Sequence, residues 1–134
     1  AEIVAELSGG TRENGYQSIQ QALADGLTFN VILSINDAGA YGAVEALREA
    51  GIGPEAVVIS SVDAETLARQ YIRDGYYFRA SVIIDRLAFS HAAINAAVRL
   101  LAGATLPETL LVPPGPALTR AQLLDTVEMV DPAP

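Results

Sequence analysis

The stretch Phe29-Asn30-Val31-Ile32-Leu33-Ser34-Ile35-Asn36-Asp37 decides the fold. Its nearly continuous apolar run, Phe29 to Ile35, is what a β-strand covered on both faces requires, because polar alternation disappears when neither face meets water. The polar pair Asn36-Asp37 ends that run and opens a different pattern. From Asp37 to about Ala50 the chain reads as a helix, closed by Gly51, a residue type suited to the left-handed conformation in which helices often stop.

The same strand-then-helix unit recurs on both sides. Upstream, Glu2 to Leu7 is strand-like and precedes a helix with N-cap Thr11, apolar positions Tyr16, Ile19 and Leu23, and an end at Gly26. Downstream, Ala56 to Val62 is a strand, Ala64 to Arg73 a helix stopped by Asp74-Gly75, and Phe78 to Ile84 a further strand. An Ala-rich helix then runs from about Leu87 to Ala102, closed by Gly103. Strands separated by single helices predict an α/β fold, a three-layer αβα arrangement around a mainly parallel sheet. After Leu106-Pro107 the pattern changes. Thr109 to Val112 is expected to be a short strand, and Pro113-Pro114-Gly115-Pro116 a crossing segment, since proline supplies no N–H to a sheet. A short helix around Arg120 to Leu124 and a proline-rich end, expected to be mobile, complete the chain.

The 134 residues, about half of them apolar, suffice for one sizeable core, hence one domain or one lobe of something larger. Because the chain starts directly in a strand-like stretch, a piece of a larger protein is expected. With 16 acidic against 8 basic residues and a net charge of −8, no basic stripe exists to neutralise a phosphate backbone, so nucleic acid is disfavoured as a partner. All basic residues are Arg. The absence of Lys excludes Schiff-base chemistry and a Walker lysine, and the absence of Cys excludes thiol nucleophiles, disulfides and cysteine-based zinc sites.

Ligands of open parallel sheets sit beyond the carboxyl ends of the strands, where helix N-termini point free N–H groups. Reading those ends gives Ser8-Gly9-Gly10-Thr11, Asn36-Asp37, Asp63 and Asp85-Arg86. Asp37 and Asp63 suit helix capping as well as ligand binding, whereas Asn36, adjoining Asp37 at the end of a buried run, is harder to explain as a cap. Asn36 offers a ligand two donors and an acceptor, and Asp63 can accept two hydroxyl hydrogen bonds from a polyol. Neither a spaced second ligand for the single histidine, His91, nor a nucleophile elbow or a full dinucleotide fingerprint around Gly9-Gly10 is present, so no metal, cofactor or catalytic group is expected.

The segment Asn36-Asp37-Ala38-Gly39-Ala40-Tyr41-Gly42-Ala43 resembles the Asn-Asp-x-x-Ala-x-Gly-Ala helix of type I periplasmic binding proteins. Arg12-Glu13-Asn14-Gly15-Tyr16 is similar to that family's Arg-x-x-Gly-Tyr helix start, Val58 to Asp63 to its strand ending in Asp, and Ala80 to Asp85 to its hinge strand. Leu111-Val112-Pro113-Pro114 with Leu118-Thr119-Arg120 resembles its closing crossover. The resemblance implies the carboxyl-terminal half of a two-lobed sugar receptor for an ABC importer, without enzymatic activity. It implies a periplasmic or extracellular location, membrane-associated in organisms lacking a periplasm.

By the same resemblance, Asn36 and Asp63 fall on positions that hydrogen-bond sugar hydroxyls. Gly10 stands roughly where some members stack an aromatic ring, and Ile84 where a hinge amide usually binds the ligand, so the ligand is expected to differ from an ordinary pentose or hexose. Asp85 and Arg86 are the adjacent polar groups able to compensate for Ile84. Residues 1–84 then form the core of the ligand-binding lobe, 85–112 a crossover expected to pack on a second lobe, and 113–134 a return crossover and tail. A lobe separated from its partner exposes apolar surface and is expected to self-associate. The alternative is the effector-binding core of a lactose-repressor-type transcription regulator, which shares the fold and the Asn-Asp helix. A sugar-phosphate or nucleotide enzyme on a similar sheet is a third reading.

Overall fold

The computed structural model describes residues 1–128. Its elements are α1 (Arg12–Ala24), β1 (Val31–Leu33), α2 (Asp37–Glu49), β2 (Val58–Asp63), α3 (Thr66–Asp74), β3 (Phe78–Ile83), α4 (Arg86–Leu101), β4 (Ala117–Thr119) and α5 (Arg120–Glu128). The four strands form one sheet in the order β1-β2-β3-β4. β1, β2 and β3 are parallel, with Leu33 opposite Ser60 and Asp63 opposite Ile83, and β4 adds antiparallel to β3. The mainly parallel α/β fold expected from the strand–helix alternation is therefore the one formed. Gly51 and Gly75, each at φ 72°, stand just past α2 and α3, as their helix-ending role requires.

The core lies where α2 and α3 pack on β2 and β3. Leu47, Ile59, Ile72, Tyr77 and Phe78 are fully buried there, and the Tyr41 ring stacks on Phe78 with centroids 5.8 Å apart. α1 packs along α2 through small residues. Gly15 and Gly42 face the partner helix so closely that a Cβ on Gly15 would strike the Gly39 carbonyl, and one on Gly42 the Arg12 carbonyl. At the rim of this contact Arg12 pairs with Glu45 and the Tyr16 hydroxyl donates to Glu49. The Arg12 guanidinium holds the Glu45 carboxyl below its ordinary range. Such exposed pairs contribute only about 0–1 kcal/mol, so glycine-mediated packing governs how the helices approach.

Two expected strands do not form. Residues 1–9 adopt neither helix nor strand, and Ile3, Val4 and Leu7 are half or more exposed. A strand exists only where its N–H and C=O groups find a ladder partner, and no backbone hydrogen bond joins this segment to β1 among the described residues. Thr109 to Val112 is likewise irregular. The chain instead returns to the sheet after the prolines: Gly115 N donates to Ile83 O at 2.8 Å, Ile83 N donates to Pro116 O at 3.1 Å, and Ala117–Thr119 forms β4. Prolines 113, 114 and 116 lack donors, so the first full ladder position lies beyond them. The expectation of a mobile proline-rich end falls largely on residues 129–134, outside those described.

Two outcomes follow from this packing. Gly42→Ala should destabilise the chain by about 1–3 kcal/mol through overpacking against backbone that cannot yield, read as a lower urea midpoint at unchanged slope. Burial, with Asp37 and Glu65 nearby, raises the Tyr41 phenol above its ordinary value of 10, and burial raises Tyr77 as well. Their folded values exceed the unfolded ones, so the stabilisation is complete below about pH 10 and is lost as pH climbs toward the folded values. Urea unfolding across that range should show the decline, and Tyr41→Phe should flatten it.

Candidate functional site

Parallel β1 and β2 deliver their carboxyl ends to the same side of the sheet, and β3 adds its own beside them. Asn36 follows β1, Asp63 ends β2, and Ile84-Asp85-Arg86 follow β3. The residues that follow β1, β2 and β3 thus share one face, whereas Ser8 to Thr11 follow no strand.

Asn36 is the N-cap of α2. Its backbone is extended, and its Oδ1 accepts from Gly39 N at 2.9 Å. Its Nδ2 donates to Gly10 O at 2.9 Å, which fixes the loop before α1 against the start of α2. The capping duty expected of Asp37 belongs to Asn36, against the expectation that Asn36 makes a poor cap, because capping needs an extended residue just outside the helix while Asp37 is already its first helical residue. One amide hydrogen and one oxygen lone pair of Asn36 remain for a ligand. Gly10 is exposed, and a Cβ there would meet nothing within 4 Å.

Asp37 is fully buried and points at the neighbouring strands. Its Oδ1 accepts from the Ser61 hydroxyl by a short hydrogen bond and from the Ser81 hydroxyl at 2.8 Å, while its Oδ2 accepts from Glu65 N at 2.7 Å. The Ser81 hydroxyl in turn accepts from Ala64 N at 2.9 Å. Capping of α3 also comes from α2: Glu65, its N-cap, makes no side-chain cap bond, and the Tyr41 hydroxyl accepts from Ala68 N at 3.1 Å. Ser61 and Ser81 escaped the sequence reading. A small hydroxyl inside an otherwise apolar strand was the available signal, since a buried hydroxyl must find a partner.

Asp63 and Ala64 make the corner between β2 and α3 at φ 112° and 53°, conformations that non-glycine residues rarely adopt and that cost about 1–3 kcal/mol each. This corner turns the Asp63 side chain outward, 26 % exposed. Its charged neighbour is Arg86, whose Nη2 lies 3.9 Å from Asp63 Oδ1 and 3.9 Å from Glu65 Oε1. Those separations exceed hydrogen-bond length, so the Asp63 carboxylate keeps its acceptor sites. Asp85 is the N-cap of α4, its Oδ1 accepting from Ala88 N at 2.9 Å, and Ile84 is half-buried beside it. Arg86 is therefore the polar group that projects beside the apolar Ile84. Among the described residues no cluster of His, Asp or Glu has the makings of a metal site.

This face combines a weakly engaged carboxylate, a partly free amide and a guanidinium, which can hydrogen-bond a small polyhydroxylated molecule. Comparison with known proteins gives that chemistry a context. A Rhizobium meliloti protein named for rhizopine binding is 30% identical over 113 residues, spanning 84% of this chain and 36% of its own length. A Mycobacterium smegmatis crystal structure in complex with β-D-fucofuranose superposes with a TM-score of 0.74 at 29% identity, over 95% of this chain and 41% of that one. The arabinose ABC transporter's periplasmic binding component from Shewanella sp. ANA-3, bound to L-arabinofuranose, gives 0.73 at 27% identity over 95% and 43%. The chain thus spans less than half the length of these relatives. Residues 2–105 match the family described as "Periplasmic binding protein domain", and the chain belongs to that family.

Proposed function

We propose that this chain is the ligand-binding lobe of a sugar receptor serving an ABC importer, with Asn36 and Asp63 as its hydrogen-bonding contacts. The observation that carries the reading is Asp63: a carboxylate presented outward by a strained corner, with no hydrogen bond of its own among the described residues. Two adjacent hydroxyls of a sugar ring match its two oxygens. Arg86 can move from its loose ion pairs to a ring or hydroxyl oxygen. Ile84 offers no hydrogen bond, so the sugar presents there a group that needs none, a ring face or a deoxygenated carbon. Gly10 leaves room where a bulkier residue would close the face.

The ligand is held between this face and a second lobe, and closure of the two is the signal that the importer's membrane subunits recognise. Residues 85–112 pack on that second lobe. α4 supports this: none of its side chains is buried, and Leu87, Phe89, Ile94 and Val98 are 59–67 % exposed. The isolated chain self-associates through such surface. The periplasmic component of an arabinose ABC transporter among the relatives above supports a receptor over a transcription regulator, and a location outside the cytoplasmic membrane. No helix among the described residues is long and apolar enough to cross a membrane.

Thermal-shift measurement against D-fucose and 5-methylthioribose, each lacking one hydroxyl, and against L-arabinose and D-galactose tests the reading. A ligand at a hundred times its Kd stabilises by about 2.7 kcal/mol, a shift of several degrees for a domain of this size. Asp63→Ala should weaken binding about 10–150-fold and so remove most of that shift. Asn36→Ser retains a cap oxygen but cannot reach both Gly10 and a ligand, so it should weaken the shift while leaving the unliganded midpoint within about 0.5 kcal/mol of the parent. Absence of any shift in a protein that contains both lobes would remove the proposal's support. Light scattering showing only monomer for the isolated chain would refute the self-association.

A further inference from the structure

Asp37 lies too deep to meet a ligand and is not needed to cap its own helix, yet it is a wholly buried acidic residue that forms no ion pair among the described residues. We propose that Asp37 is a positioning residue: its carboxylate fixes the corner at Asp63-Ala64 and so sets the orientation in which the Asp63 carboxylate meets the ligand. The proposal rests on the reading of Asp63 as a ligand contact given above.

All of Asp37's side-chain partners lie off α2, on β2, β3 and the start of α3. Two consecutive amides of the corner depend on it. Glu65 N donates to Oδ2 directly, and Ala64 N donates to the Ser81 hydroxyl, whose own proton is committed to Oδ1. These amides immediately follow the unfavourable torsions of Asp63 and Ala64. A corner in such a conformation persists only when its surroundings over-determine it. The Ala64 carbonyl is tied from the other side, accepting from Arg69 Nε at 2.7 Å. With N–H and C=O both held, the direction of the residue 63 side chain is set from beneath.

The chemistry demands acceptors on both sides of residue 37. An amide replaces one of two acceptor oxygens with a donor, so it can satisfy the Glu65 N–H or the two serine hydroxyls as they stand, not all three. Ser81 serves as the relay to Ala64 alone, which gives a second, milder way to open the corner.

Amide hydrogen exchange followed by NMR on the full chain decides the matter without a ligand. In Asp37→Asn the Ala64 and Glu65 amides should exchange at least about tenfold faster relative to the Leu47 amide in α2, which reports general stability. In Ser81→Ala the Ala64 amide should speed up while Glu65 changes less. If Asp37→Asn does not fold, Ser81→Ala decides. Unchanged relative protection of Ala64 and Glu65, or acceleration equal to that of Leu47, overturns the proposal. With whichever of the four sugars shifts the parent protein, Asp37→Asn should weaken affinity at least about tenfold, and Asp37→Asn combined with Asp63→Ala should lose less than the sum of the single losses, because both act through one carboxylate. Additive losses overturn the link to Asp63. If none of the four sugars binds the parent, the receptor reading fails alone and the exchange comparison still judges the corner.

Discussion

A carboxylate with no ion pair among the described residues, sealed where α2 meets the sheet, is the constraint on which the rest of this structure turns. Burying an ionised group costs several kcal/mol unless its oxygens are filled. Asp37 meets that demand with Ser61, Ser81 and the Glu65 amide, each hydrogen bond to a charged group contributing about 1.5–3 kcal/mol. Its place in the first turn of α2 and its bond at the start of α3 also set it against the positive ends of two helices. The network therefore locks α2, β2, β3 and α3 in register from a single point.

The polar point is framed by an apolar one. Tyr41, one helical turn after Asp37, stacks its ring on Phe78 in the core while its hydroxyl accepts from Ala68 N at the start of α3. Asp37 and Tyr41 lie four residues apart on one face of α2, so a single helix face satisfies the orphan donors at the beginning of the next helix. On the opposite side, Gly39 and Gly42 let Gly9 and α1 approach to backbone contact. α2 is thus the organising element: one face tethers the corner that presents Asp63, the other holds the loop that carries Gly10.

The face at the strand ends inherits its arrangement from these contacts. Asn36 and Asp63 occupy the ends of adjacent parallel strands because crossover connections bring every such end to one side. Their chemistry differs according to local duty. Asn36 spends half its hydrogen-bonding capacity on cap and loop, whereas Asp63 spends almost none. A residue without structural obligations at a strained position is well placed to respond to a ligand. Stability at this edge and readiness to bind are divided between neighbouring side chains.

The order of helices and parallel strands was legible in the sequence, since buried strands and amphipathic helices differ in period and glycines mark the helix ends. Asn36, Asp63 and Asp85 could be placed at the ends of β1, β2 and β3 because strand ends can be counted along the chain, whereas the strand expected before Gly10 does not form. What the sequence could not supply were relations between distant positions. Whether Glu2 to Leu7 forms a strand depends on a pairing partner, and the return at Ala117 rather than Thr109 depends on where three prolines leave the first free N–H groups against β3. Asp37 read as a cap because local spacing cannot see hydroxyls 24 and 44 residues away. The local pattern determined the helices and the ends of β1, β2 and β3. Only tertiary packing decided which aspartate is presented outward and which is buried beneath it, because that choice is made by donors on other strands.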